Sequence, residues 1–213
     1  TSTQVGVLTT TQIIQFTTTQ ISSLKSAGVN VLTTTQFGAI TSTQVGSLTT
    51  TQITGFNTTD ITALTTTQEA GFKTLQIQAF NTTQIGSFTS TALGALTTTQ
   101  EAGLTATQIG SLTTTKLSGL TSTQIGALTV SQGAGLTSTQ IGGLTTTQLN
   151  GISTTLAAAL TTVQVSGLTT TEITNLTTTT EGALKSTQFA ALTTTQVSGL
   201  TTTQLGALTT AQE

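Results

Sequence analysis

The chain repeats one octapeptide about 26 times without an insertion or a deletion. With LTTTQIGA as the unit, here called an octad and numbered from its Leu, every eighth residue from Leu8 to Leu208 is Leu, Phe or Ile. A constant period of this kind is typical of solenoids, in which each unit contacts mainly its neighbours. The sequence therefore predicts a single continuous repeat domain over residues 1–213, forming part of a longer array.

The composition excludes most catalytic and ligand-binding chemistry. The 213 residues carry a net charge of −2, and they include four Lys but no His, Cys or Arg. Without those side chains the chain lacks an imidazole base, a thiolate nucleophile, soft metal ligands and a bidentate clamp for phosphate. We therefore expect no enzyme activity, no cofactor, no metal site, no nucleic-acid binding and no membrane insertion.

Several octad positions alternate with a period of sixteen residues. The eighth position is mostly Gly in every second octad, as at Gly71, Gly103 and Gly135, and is mostly Ala in the octads between them. The sixth position is usually Ile or Val. It is replaced by Glu or Gly in only one of the two alternating sets of octads, at Glu69, Glu101, Gly133, Glu181 and Glu213. The pattern predicts that two octads make one turn of a solenoid with two unlike sides.

Composition favours strands for these two sides. Thr, which favours β-structure, makes up about a third of the chain, and Gly recurs throughout. Small replacements at the third octad position, such as Ser42 and Ala106, indicate an inward-facing residue. We therefore predict an all-β solenoid of sixteen-residue coils, with Gly supplying unusual backbone angles and stacked Gln amides at the corners. Because burial of a carboxylate is costly, the sixth-position Glu residues are expected at an open corner.

The alternative is a solenoid of short one-turn helices. Thr-x-x-Gln is a capping-box pattern, and Asp60 and Glu172 replace Gln as a third helical residue would. The opening LTxxQ followed by Ile or Val also resembles the first helix of TAL-effector repeats over some eight residues. Glu69 with Lys73, and Glu181 with Lys185, have the spacing of a helical ion pair.

The run LTSTQIGALTVSQGAGLTSTQIGGLTTTQL resembles the octapeptide arrays of bacterial cell-surface proteins of the β-strand-repeat, adhesin-like type. The resemblance covers the whole chain and implies an exported, elongated protein with a structural or adhesive role. The absence of polar caps at either end favours self-assembly, end to end or lateral. The sequence thus predicts an extracellular or cell-surface rod or filament that pairs with itself, with surface glycans or ice as external ligands.

Ice binding is the competing functional hypothesis. Outward Thr-x-Thr pairs stacked on successive coils resemble the flat ladders of insect antifreeze solenoids. One of the two alternating sets of octads carries the more regular pairs, which also include Thr1 and Thr3. The candidate ladder consists of Thr17, Thr19, Thr33, Thr35, Thr49, Thr51, Thr65, Thr67, Thr97, Thr99, Thr113 and Thr115.

Overall fold

The computed structural model describes residues 2–210 and 212, which fall into two compact units, Thr1–Leu104 and Thr105–Glu213. Almost every described octad forms one helix of four to six residues, and the described residues contain no strand. The helices of the first unit are α1 Ser2–Gly6, α2 Thr10–Ile14, α3 Thr18–Ser23, α4 Ser26–Val29, α5 Thr34–Gly38, α6 Ser42–Val45, α7 Thr50–Thr54, α8 Thr58–Thr62, α9 Thr66–Glu69, α10 Thr74–Ala79, α11 Thr82–Ser87, α12 Ser90–Ala95 and α13 Thr98–Glu101. Those of the second unit are α14 Ala106–Ser111, α15 Thr114–Leu117, α16 Ser122–Ala127, α17 Val130–Gly133, α18 Ser138–Ile141, α19 Thr146–Gly151, α20 Thr154–Ala159, α21 Thr162–Ser166, α22 Thr170–Thr174, α23 Thr178–Gly182, α24 Ser186–Phe189, α25 Thr194–Ser198 and α26 Thr202–Leu205.

The all-β prediction is therefore wrong, and the alternative of one-turn helices is correct. Each unit is an all-α solenoid of short helices. The composition misled because most Thr residues lie at the N-cap or in the first helical turn, as in α18, where the low helix propensity of β-branched residues matters little.

Two local signals start each helix, and the octad from Leu136 shows both. The Thr137 hydroxyl accepts a hydrogen bond from the Gln140 amide N–H at 3.1 Å, and Gln140 Oε1 accepts one from the Thr137 amide N–H at 2.8 Å. This reciprocal pair is a capping box. Leu136 and Ile141, both buried, occupy the N′ and N4 positions at which a hydrophobic staple forms.

Each helix ends where the next Leu begins. The amide N–H of Leu144 donates to the carbonyl of Ile141 at 3.2 Å, and the same bond recurs from octad to octad. The chain then turns in extended backbone, as at Leu24 with φ −61° and ψ 136°. No described residue has a positive φ, so the prediction that Gly supplies unusual backbone angles is wrong.

Within each unit the helices wind more slowly than sixteen residues per turn. Each helix packs against the third helix along the chain, as α7 does with α10 and α18 with α21. Hydrogen bonds also link an octad to the fourth and third octads before it, as from Gln76 to Val45 and Leu48. One turn therefore contains between three and four octads, or about 24 to 32 residues, and the predicted sixteen-residue coil is wrong. The contact pattern is that of an α-helix, repeated at the scale of octads.

The first and sixth octad positions line the interior of each unit. Ile53, Ile77, Ile125 and Ile141 have no exposed surface, and the Leu or Phe at the first position is mostly buried. In the first unit Phe72, Phe80 and Phe88 stack edge to face, with ring centroids 5.2 Å apart for the first pair and 5.3 Å for the last pair. An isolated helix of six residues would not be stable, so this packing holds the helices in place.

Glycine at the eighth position allows neighbouring helices to approach closely. A Cβ atom at Gly71 would lie 2.1 Å from the Ser42 carbonyl oxygen, and one at Gly103 would lie 2.3 Å from that of Thr74. Both contacts join a helix to the third helix before it. Eighth-position Gly is therefore required by the spacing of the backbones, and the small third-position residue Ser42 lies at such a contact.

Candidate functional site

The Gln at the fifth octad position uses its whole side chain within the fold. Gln76 Oε1 accepts from the Lys73 amide N–H at 2.7 Å, which caps α10. Its Nε2 group donates to the carbonyls of Val45 and Leu48, at 2.9 and 2.7 Å. The same pair of donations, to residues 31 and 28 positions earlier, is made by Gln44, Gln52, Gln68, Gln84 and Gln100 in the first unit and by Gln140, Gln148, Gln164, Gln188 and Gln204 in the second.

This arrangement, here called the glutamine clamp, bonds to backbone carbonyls at the end of a helix one turn of the solenoid, or one level, below. The first of the two carbonyls, as at Val45, also accepts from the amide N–H of the next Leu, whereas the carbonyl of that Leu, as at Leu48, has the clamp as its donor. Gln76, Gln140 and Gln204 each expose 3% of their surface. The expected ladder of Gln amides is wrong because these amides bond to backbone carbonyls and not to one another.

Three Glu residues occupy the core position that Ile holds in most octads. Glu69, Glu101 and Glu181 expose 3%, 2% and 1% of their surface. Their predicted place at an open corner is wrong because the sixth position lies inside the stack of helices. Glu213, the fourth Glu of that prediction, lies outside the described residues.

Burial changes the acidity of these carboxyl groups. Removal of water raises the pKa of Glu69 to about 7 and that of Glu101 to about 8, and it also raises the pKa of Glu181. No hydrogen-bond partner contacts Glu69 Oε2 or either carboxyl oxygen of Glu181. At Asp60, which replaces a clamp Gln, burial raises the pKa while hydrogen bonds from Asn57 oppose the shift.

A signal for this core position is present in the sequence. Glu69 and Glu101 are 32 residues apart, a separation of four octads. In the structure the two octads lie on successive levels, since Gln100 Nε2 donates to the carbonyl of Glu69 at 2.9 Å. The sixteen-residue alternation by itself does not show that octads 32 residues apart are neighbours on successive levels.

In the second unit, two neighbouring departures from the octad consensus show that the sixth position lies in the packed interior. Gly133 occupies a sixth position, and Leu156 replaces a clamp Gln. A Cβ atom at Gly133 would lie 2.1 Å from Leu156 Cδ1. Leu156 therefore fills the space that a sixth-position Ile would take, and the two exceptions compensate each other.

All twelve members of the predicted Thr ladder are exposed, but they do not lie on strands. The first member of each pair is a helix N-cap: Thr17 Oγ1 accepts from the Gln20 amide N–H at 3.2 Å. The second member, such as Thr19, lies in the first turn of the helix. The prediction that these Thr residues lie on strands is wrong, because the fold is helical. Ice binding itself stays a prediction. Thr1 lies outside the described residues.

The remaining charged groups form no cluster in the described part of the chain. Glu69 and Lys73 belong to successive octads and make no ion pair, and the same holds for Glu181 and Lys185. No group of three carboxylate, His or Cys side chains could hold a metal ion among the residues described. The described helices are also too short and too polar for any of them to cross a membrane.

Comparison with known families agrees that the chain is a repeat protein. The family model described as the ALTTAQ repeat matches residues 14–50 and 182–212. No curated protein matches the chain. The matched segments cover α3 to α6 in the first unit and α24 to α26 in the second. The chain is therefore a repeat protein of short helices, two stretches of which match the ALTTAQ repeat family.

Proposed function

We propose that this chain is a non-enzymatic, extracellular structural repeat protein that forms a rod or filament at the cell surface, as a surface fibre, an adhesin stalk or a matrix component. The glutamine clamp is the observation that carries the proposal. Each clamp joins one octad to an octad a level below, so the folded interior is built from one interface used repeatedly. Stacking through such a repeated interface has no intrinsic limit in length.

The early octads of the first unit carry clamp groups that are not engaged. Gln12 and Gln20 make only the capping hydrogen bonds to Thr9 and Thr17, and their Nε2 groups have no protein acceptor. Both side chains are exposed, whereas Gln44, Gln52 and Gln76 are buried with both Nε2 hydrogens engaged. These donors have the geometry needed to reach helix-end carbonyls of a preceding level.

The late octads of the second unit carry the complementary surface. An open apolar groove of about 440 Å³ lies there, and Val197 and Leu205 are 43% and 46% exposed. The groove is lined by Ser186, Phe189, Ala190, Val197, Leu200, Leu205, Leu208 and Gln212. We take a second copy of the chain as the partner, with its Gln12 and Gln20 amides donating to carbonyls beside this groove.

Electron microscopy of the purified 213-residue chain tests the proposal. We expect filaments, and the double variant Gln12→Ala and Gln20→Ala should shorten or abolish them while the helical circular dichroism is kept. Thr11→Ala, an exposed first-turn change in the octad of Gln12, is the matched control and should leave the filaments intact. Dispersed particles at all concentrations would count against the proposal, as would full-length filaments from the double variant.

Ice binding is the second candidate, favoured by the exposure of all twelve ladder Thr residues. The capping role of the N-cap hydroxyls works against it, because those groups face their own helix. Thermal hysteresis and ice-recrystallisation inhibition of the same purified chain separate the candidates. Absence of both effects would eliminate ice binding and leave the structural role as it stands.

A further inference from the structure

We propose that Glu69, Glu101 and Glu181 act as proton-dependent latches, which close the core of the solenoid when protonated and loosen their octads when the proton is lost. The device lies in the fold of each unit and does not depend on the filament proposed above. It assigns a role to three core substitutions that a structural rod does not need.

The geometry places a titratable group where the fold elsewhere has only hydrocarbon. Ile53 and Ile77 fill the sixth position with no exposed surface, and Glu181 is as deeply buried, with 1% exposed. Neither carboxyl oxygen of Glu181 has a hydrogen-bond partner, and Oε2 of Glu69 has none. An ionised carboxylate in such a place loses its hydration without compensation, so the neutral acid is favoured until the helix opens.

The elements around Glu69 carry no cation that would hold it ionised. Its helix α9 packs against α6 and α12, and neither contains a titratable residue. The octad below, to which Gln68 donates at Phe37 and Ile40, is also uncharged. The octad above contains Glu101, a second carboxyl group. Lys73, four residues later, is exposed and makes no ion pair with Glu69.

The helices packed against the other two groups also contain no titratable residue. Glu101 lies in α13, which packs against α10; Lys73 is the exposed N-cap of α10, and Glu69 lies one level below Glu101. Glu181 lies in α23, which packs against α20 and α26, both uncharged. Lys185 follows Glu181 by four residues, is exposed and makes no ion pair with it. Gln212 Nε2 donates to the carbonyl of Glu181 from the octad above.

Because the pKa values of these Glu residues are raised, the loss of the proton and the resulting loss of stability occur near neutral pH. For an acid whose folded-state pKa lies above its unfolded value, the stabilisation is complete below the unfolded value and is lost as the pH rises through the folded one. With an ordinary value of 4.5 and folded values of about 7 for Glu69 and about 8 for Glu101, stability falls between about pH 4.5 and pH 8. The solenoid is thus tighter in mild acid and looser in mild alkali.

Thermal unfolding of the 213-residue chain from pH 6 to pH 9 tests the latch. We expect the Tm of the native sequence to fall across this range, by several degrees. The triple variant E69Q/E101Q/E181Q, which lacks all three of these carboxyl groups, should lose most of that fall. The variant E69I/E101I/E181I should lose it while raising the Tm at pH 9. Ile77→Val, a conservative change at a buried sixth position without a titratable group, is the matched control and should keep the native pH profile.

Hydrogen exchange keeps the test decisive if the Gln variant folds poorly. Corrected for the intrinsic rate, amide exchange in α9 and α23 should be at least tenfold faster at pH 9 than at pH 6 in the native chain, and unchanged in the Ile variant. A native Tm that does not fall with pH would overturn the proposal. An undiminished fall in the Ile variant would do the same.

Discussion

The side-chain amide of Gln76 donates a hydrogen bond of 2.7 Å to the carbonyl of Leu48, 28 residues earlier in the chain. A second bond, of 2.9 Å, goes to Val45. This one side chain caps its own helix and completes the end of a helix one level below, so a local signal and a long-range contact are combined in a single residue.

Loss of a buried clamp should therefore cost much more than loss of an exposed one. Gln76→Ala leaves the carbonyl of Leu48 without a donor and removes one of the two donors to the carbonyl of Val45, so it should lower the free energy of unfolding by about 3 kcal/mol. Gln20→Ala removes only the cap at Thr17 and should cost about 1 kcal/mol. Urea denaturation of the two variants measures the difference, and equal losses would contradict a role for the long-range bonds.

Removal of an N-cap Thr hydroxyl should destabilise the chain, whereas removal of the hydroxyl of a first-turn Thr in the same helix should not. Thr137→Ala removes the acceptor for the Gln140 amide N–H and should destabilise the chain by about 1 kcal/mol. Thr139→Ala, in the exposed first turn of the same helix, should stay within about 0.5 kcal/mol of the native value. Denaturant midpoints provide the comparison. A larger effect at Thr139 would speak against the capping assignment.

Two Gly→Ala substitutions should have opposite signs. Gly71→Ala places a Cβ atom against the Ser42 carbonyl and should destabilise by about 2 kcal/mol or more. Gly38→Ala meets no atom within 4 Å and should stabilise α5 by up to about 1 kcal/mol, because Ala has the higher helix propensity. Thermal unfolding measures both. A harmless Gly71→Ala would show that the helices do not approach each other as closely as described.

Gly133 and Leu156 should be energetically coupled. Gly133→Ile alone forces a side chain against Leu156 Cδ1 and should cost about 2 kcal/mol or more. Leu156→Gln in the same chain restores the usual octad pair and should recover about 1 to 3 kcal/mol, as a double-mutant cycle measures. Additive effects would mean that the two side chains do not share one space.

The two buried Glu residues of the first unit should both titrate well above the ordinary pKa of a Glu side chain. Carboxyl ¹³C resonances should show Glu69 titrating near pH 7 and Glu101 near pH 8, both above the ordinary value of 4.5. At about 1.4 kcal/mol per pKa unit, Glu69 alone would account for roughly 3 kcal/mol of stability lost as the pH rises through its folded pKa. Titration of both groups near pH 4.5 would show that they are hydrated.

The sequence by itself determined the repeat and the first of its two core positions. The eight-residue period, the large apolar residue at Leu136 and its equivalents, and the capping signal from Thr137 to Gln140 are all local patterns, and the last of them identified the helical alternative. The preference for strands arose because the abundance of Thr was given more weight than its place at the start of each helix.

Only the tertiary structure decided how many octads form a turn and which residues the turn brings together. That number depends on how closely Gly71 allows α9 to approach α6, and on how far the Gln76 amide reaches to a lower level. Neither distance is encoded within one octad. The burial of Glu69 follows from the same winding, because a sixth-position side chain lies in the interior only when helices above and below cover it.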